Sequence, residues 1–197
     1  MMKATFFVTV MTSNKEKEVK VAVPYYPVDL WNEILPGLCQ GGTDEADELG
    51  GFIATAPAGL KSWQASEFIG ASQVQAHEFD TVVTAYSQAN PCGLGVKELR
   101  FTFFDGNMND FDPEKDLFWL VREAHSDWKA GKKVLIRCQA GMNRSGLIMA
   151  LVLIREGHSP QEAIDLIRSK RCGSAITNAR FESWLLYEAD VNFWRGN

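Results

Sequence analysis

Long apolar runs are missing from this sequence. The longest, Gly146 to Ile154, has nine residues, lies between Arg144 and Arg155, and is too short to cross a bilayer. Cysteine is sparse. Cys39, Cys92, Cys138 and Cys172 lie far apart and form no C-x-x-C pair, which argues against a disulfide scaffold and against a zinc site. Reduced thiols in a cytoplasmic compartment are the expectation, with no metal and no cofactor. Histidine is scarce too, and His77, His125 and His158 are scattered enough to read as structural or surface residues. There is no basic excess. A net charge of −5 disfavours a general nucleic-acid binder while leaving room for a local basic pocket. The opening residues offer no small-residue cleavage site and turn charged at once, against a secretory signal.

What is present suits one folded domain with a small appendage. The 197 residues are 46% apolar and 11% aromatic, enough for a real core. Two β-rich runs, "ATFFVTVM" and "VKVAVPYY", flank a polar "TSNKEKE" and predict a hairpin over residues 4–25. Residues 1–28 are therefore read as an N-terminal hairpin extension and 29–197 as the main domain. "VDLWNEILPGLCQGG" predicts a short strand and turn around Pro36 and Gly37. Residues 43–78 carry too little pattern to place an element. "FDTVVTAY" and "GVKELRFTFF" read as strands.

From Asp112 the punctuation is helical. Asp112 is a candidate N-cap with Pro113 behind it, Leu117, Leu120, Val121, Ala124 and Trp128 follow at helical spacing, and Gly131 ends the run. Lys132 to Ile136 predicts a central strand. A helix from about Ser145 to Glu156 is apolar on nearly every side and should be buried, with Gly157 as its stop. Ser159 and Glu162 form a capping box for the next helix, and a last one carries Phe181, Trp184, Leu185 and Glu188. The tryptophans mostly occupy core-facing positions, with Trp119 the exception. The expected fold is α/β, a central mostly parallel sheet flanked by helices.

Between the buried strand and the buried helix runs "CQAGMNRSG". A helix N-terminus offers unpaired N–H groups and partial positive charge, so this turn is a candidate anion cradle. Gly141 permits close backbone approach, and Arg144 supplies a planar fork for two phosphate oxygens. The same field favours thiolate over thiol at Cys138, which makes it the candidate nucleophile. Ser145 is placed to donate to that sulfur. Gln139, Ala140, Gly141, Met142, Asn143 and Arg144 are the candidate substrate-binding residues.

"CQAGMNRSG" resembles the Cys–five residues–Arg signature of cysteine-dependent phosphatases in its H-C-x-x-G-x-x-R-S form. The surroundings resemble the dual-specificity branch: "NEILPGLCQGG" is similar to its I-L-P-x-L-Y-L-G opening, "REGHSPQEAIDLIRSKR" to its S-x-x-E-A helix pair and later K-R, and "TNARF" to its P-N-x-G-F. The resemblance spans residues 29 to 190. It implies a phosphotyrosine-phosphatase-like fold and a two-step hydrolysis of phosphoprotein, phosphotyrosine and potentially phosphoserine or phosphothreonine, without a metal. Cys138 would form a phosphocysteine while an acid protonates the leaving group, and water would then attack.

The resemblance places that acid about thirty residues before the nucleophile, on a loop after a strand. "FTFFDGNMNDFDPEK" offers Asp105, Asp110 and Asp112; Asp105 follows the strand directly, 33 positions before Cys138, and fits best. Asp110 is second, and Asp112 is already used as a helix cap. Asn178 is expected as a helix cap supporting the cradle and Asn143 as a stabiliser of the loop's conformation. Arg137 stands where the family has histidine. Its charge either adds positive potential at Cys138 or, if the head finds no partner, distorts the loop. Cys39 replaces a tyrosine and Arg180 a glycine of the family pattern. Gln139, Ala140, Met142 and Asn143 carry no basic group, which favours a protein phosphomonoester over a phosphoinositide. An RNA 5′-triphosphatase of the same fold and a catalytically weak phosphate-binding pseudophosphatase are the alternatives.

Overall fold

A computed structural model gives the structure of the chain and describes residues 3–12, 15–43, 78–92 and 95–196. The stretch 43–78, in which the sequence predicts no element, falls almost wholly outside the described residues, as does His77. The predicted hairpin is formed by β1 (Lys3–Thr12) and β2 (Lys15–Pro24), paired antiparallel.

Five further strands form the central sheet. They are β3 (Trp31–Leu35), β4 (Leu38–Gly41), β5 (Thr81–Thr84), β6 (Lys97–Arg100) and β7 (Val134–Arg137), in the spatial order β3-β4-β7-β5-β6. Only β3 runs antiparallel to its neighbour; β4, β7, β5 and β6 are mutually parallel. Pro36 and Gly37, with Gly37 at φ 77°, reverse the chain between β3 and β4. The expectation of one strand and a turn there becomes two strands.

Alternation along β7 sorts the core. Val134, Ile136 and Cys138 face the helices, while Leu135 packs with Cys39, Phe79 and Val82 on the other face. Among the described residues the helices are α1 (Pro113–Asp116), α2 (Phe118–Lys129), α3 (Arg144–Glu156), α4 (Pro160–Lys170), α5 (Ala179–Tyr187) and α6 (Val191–Arg195). The helix predicted from Asp112 to Gly131 is divided at Leu117, although the Leu117 N–H still bonds the Pro113 carbonyl at 2.9 Å. Asp112 caps α1 as expected, accepting from the Glu114 and Lys115 amides. The capping box on α4 is complete in both directions, Ser159 to Glu162 and back.

The apolar helix is α3, and its residues from Ser145 to Ile154 are all buried. Burying each large aliphatic side chain contributes roughly 1.5–3 kcal/mol, so α3 dominates the core on this face of the sheet. α6 is a short element that the sequence pattern does not announce. Trp194 on it is fully buried and packs edge-on to Trp184, whereas Trp119 is partly exposed. His125 bonds Glu156 at 2.8 Å and His158 lies in the turn between α3 and α4, both structural placements. Among the described residues, no helix is long and apolar enough to cross a membrane.

Candidate active site

β7 ends at Arg137, the chain turns through residues 138–143, and α3 begins at Arg144. The first turn of α3 has no side-chain cap: Asn143 precedes it with helical dihedrals and makes no capping bond. The leading amides therefore keep their donors for something else. Cys138 lies under this turn, with its Sγ 3.3 Å from the Ser145 Oγ. Ser145 is itself buried and accepts from Gln40 Nε2 at 3.4 Å. Cys138 is only 1% exposed.

Arg144 reaches along the opening. Its Nη1 donates to the Ala85 carbonyl at 3.4 Å, and its guanidinium lies 5.0 Å from the Tyr86 ring. Its Nε is buried without a hydrogen-bond partner. An orphaned guanidinium donor beside uncapped helix amides suits an incoming oxyanion. The cleft above has a volume of about 760 Å³, and Tyr86, Phe104, Asp105, Gln139, Arg144 and Asn178 are among the residues lining it.

Asp105 is held over this cleft by two amides. Asn143 Nδ2 donates to its Oδ2 at 3.2 Å, and Asn178 Nδ2 to its Oδ1 at 3.0 Å. Asn178 serves two elements. Its Oδ1 caps α5 through the Arg180 and Phe181 amides, and its Nδ2 also donates to the Gly106 carbonyl. Asn143 Oδ1 in turn accepts from the Asn178 N–H at 3.1 Å. Asp110 lies further along the loop and is exposed, and Asp112 is occupied as the α1 cap.

The loop is clamped from outside. Gly141 takes φ 68°, and a side chain there would meet the Gly41 backbone at 2.5 Å. Its carbonyl accepts from Gln40 Nε2 and from Arg171 Nε, both at 3.1 Å. Arg171, 4% exposed, also donates to the carbonyls of Ala140, Leu30 and Asp29 and to Asn32 Oδ1. These bonds occupy the Ala140 and Gly141 carbonyls and fix this part of the loop to Gln40 and Arg171. Desolvation pushes the Arg171 guanidinium down from its ordinary range, with partial compensation from neighbouring acidic groups. Gln40 and Arg171 escape sequence reasoning as site residues; the only signal is Arg171 inside the quoted "SKR".

The candidate binding residues divide. Asn143 and Arg144 line the cleft, Ala140 and Met142 face a second hollow of about 490 Å³ beside Tyr26 and Val28, and Gln139 borders both. Arg137 does not distort the loop. Its side chain is fully buried on the face of the sheet opposite α3, where it finds Thr84 Oγ1 at 3.1 Å, the Asn90 carbonyl at 2.6 Å and Glu98 at 3.6 Å. Arg180 pairs with Glu188 on the surface, away from the cradle. No group of three or more metal-ligating side chains occurs among the described residues.

A strand–loop–helix anion site on a parallel sheet, with cysteine beneath and arginine at the rim, defines the cysteine-dependent phosphatase class. A family model for the dual specificity phosphatase catalytic domain matches residues 62–190, and the chain belongs to that family. Over 100 residues it is 37% identical to a probable protein tyrosine phosphatase type IVA B of Dictyostelium discoideum, a match covering 48% of this chain and 58% of that protein. Over 104 residues it is 30% identical to the tyrosine-protein phosphatase CDC14 of Saccharomyces cerevisiae, covering 52% of this chain and 18% of that one. The chain thus spans less than two thirds of either relative. The crystal structure of human DUSP28 superposes with a TM-score of 0.58 at 22% identity, covering 81% of this chain and 93% of that one, which is a likeness of fold.

Proposed function

We propose that this chain is a metal-independent phosphomonoester hydrolase acting on phosphoprotein, with phosphotyrosine the first substrate to test and phosphoserine and phosphothreonine beside it. The observation that carries the reading is the pairing of Cys138 with Ser145 under the uncapped start of α3, beside an Arg144 whose buried Nε has no partner. A phosphoryl group entering the loop meets amides and guanidinium that neutralise its equatorial oxygens. The Cys138 sulfur attacks phosphorus, the P–O bond to the leaving group breaks, and Asp105 delivers a proton to that oxygen. Water then attacks the phosphocysteine with Asp105 taking its proton, and Ser145 donates to the departing sulfur. Because the attack needs a free thiol, a reducing, cytoplasmic compartment is part of the proposal.

Hydrolysis of p-nitrophenyl phosphate by the wild type, lost in Cys138→Ser, together with a trapped phosphocysteine, is the expected result. The 1% exposure of Cys138 favours a second reading, in which the loop binds phosphate without turnover. A wild type as inert as Cys138→Ser that still binds inorganic phosphate would select it. Phosphotyrosine and phosphothreonine peptides and triphosphate-ended RNA, compared side by side, separate the substrate classes.

A further inference from the structure

The residue before the nucleophile opens a second line. Arg137 is in register with Thr84 on β5, and both side chains lie on the sheet face opposite α3. There they enter a buried cluster. Glu98 Oε1 accepts from Thr84 at 2.6 Å and from Arg100 at 2.7 Å and lies 3.6 Å from Arg137, while Glu98 Oε2 accepts from the Cys92 amide at 3.2 Å. Two guanidiniums thus share one carboxylate. Arg137 Nε donates to Thr84 Oγ1 at 3.1 Å, and other donors of both guanidiniums go to one segment of chain, residues 85–92, which contains no helix or strand of the sheet.

The division is specific. Arg100 donates to the carbonyls of Ala89 at 3.0 Å, Asn90 at 3.3 Å and Tyr86 at 3.4 Å, and Arg137 donates to Asn90 at 2.6 Å. This same segment forms one wall of the cleft, through Tyr86 and Ser87. It also supplies the two groups that hold Arg144, the Ala85 carbonyl and the Tyr86 ring.

We propose that Arg137 is a positioning residue: from beneath the sheet it fastens the 85–92 segment, which in turn fixes the Arg144 guanidinium for oxyanion binding. This rests on the anion-cradle reading above. Arg137 never touches the substrate. Burial alone would raise the Glu98 carboxyl, yet Thr84, Arg100 and Arg137 together hold it below its ordinary range, so the cluster stays ionic. Burial pushes the neighbouring Cys92 thiol up to about 12, which keeps it a neutral neighbour of Arg137. Removing the Arg137 head takes a donor at 2.6 Å from the Asn90 carbonyl and one cation from Glu98, and the wall is free to shift.

The test uses the full chain carrying Cys138→Ser, in which binding is read without turnover, and inorganic tungstate as the probe in titration calorimetry. Adding Arg137→Met is expected to weaken tungstate binding about tenfold. Tyr86→Ala should weaken it by a similar factor, and the Arg137→Met/Tyr86→Ala combination should be no weaker than Tyr86→Ala alone, because both act through one wall. Arg137→Lys, which keeps a cation, should recover part of the loss. Should Arg137→Met fail to fold, Glu98→Gln takes its place with the same non-additivity expected. Unchanged tungstate affinity with a lowered melting temperature, or losses that simply multiply, overturns the proposal. A Cys138→Ser parent that binds no tungstate overturns the cradle reading itself, and this inference with it.

Discussion

At the scale of single residues, the loop shows how a few side chains partition the work. Asp105 is fixed by Asn143 from the loop and Asn178 from the cap of α5, so the candidate acid, the candidate anion loop and the start of α5 share one hydrogen-bonded group. Asp105→Asn keeps the shape of that group and removes the proton. Its kcat for an aryl phosphate is expected to fall on the order of 10²- to 10⁴-fold, with little change in oxyanion affinity. Steady-state kinetics beside phosphate inhibition check both halves; equal activity in Asp105→Asn would move the role to Asp110. The motif made Cys138, Arg144 and Ser145 legible because they lie within seven positions of each other. Arg171 and Gln40 were not, since the bonds that give them meaning span 30 to 142 positions of chain. Arg137 was visible as a departure, but its partners on β5, β6 and the following segment were not.

At the scale of elements, local punctuation carries most of what the sequence displays. Asp112, Gly131, Gly157 and the Ser159–Glu162 box each mark a boundary by short-range chemistry, and each falls where the structure starts or stops a helix. Pairing order is different. Nothing in a strand of four residues states that β7 lies between β4 and β5, because register is decided by which faces are buried. The five-residue α6 is below the length at which periodicity can announce it. Two substitutions separate the contributions. Ser159→Ala removes one cap and should cost about 1 kcal/mol. Leu151→Ala opens a cavity in fully buried α3 and should cost about 2–5 kcal/mol. Urea denaturation with a common slope reads the two; a cost for Leu151→Ala below that of Ser159→Ala would contradict the assignment of α3 to the core.

Across the whole molecule, the far end of the sheet is tied by a different carboxylate. Asp127 on α2 accepts from Thr81 Oγ1 at 2.9 Å and pairs with Lys97 at 2.8 Å and Lys132 at 2.7 Å, joining the starts of β5 and β6 to the chain entering β7. Burial, the largest single influence, would raise this carboxyl; the bonds from Lys132, Lys97 and Thr81 together lower it to about 2. A folded pKa below the unfolded value of about 3.9 gives stability that is present above that pH and lost as pH falls toward 2. Asp127→Asn should therefore be less stable at pH 7, and its stability should vary less between pH 4 and pH 2. Acid titration followed by circular dichroism tests this, and a wild-type-like acid limb in Asp127→Asn would refute it.

The glycine at the end of β4 has a mechanical consequence. With Gly41 pressed against Gly141, and Gly42 so close to the Gln139 carbonyl that an added carbon would lie 2.6 Å away, the anion loop is seated on the sheet edge with no slack. It can swing only if the strand swings too. The opposing partner, Asp105, is latched by two side-chain amides alone. Under the proposed mechanism, opening and closing would therefore belong to the Asp105 side, a hinged jaw working against a stationary one.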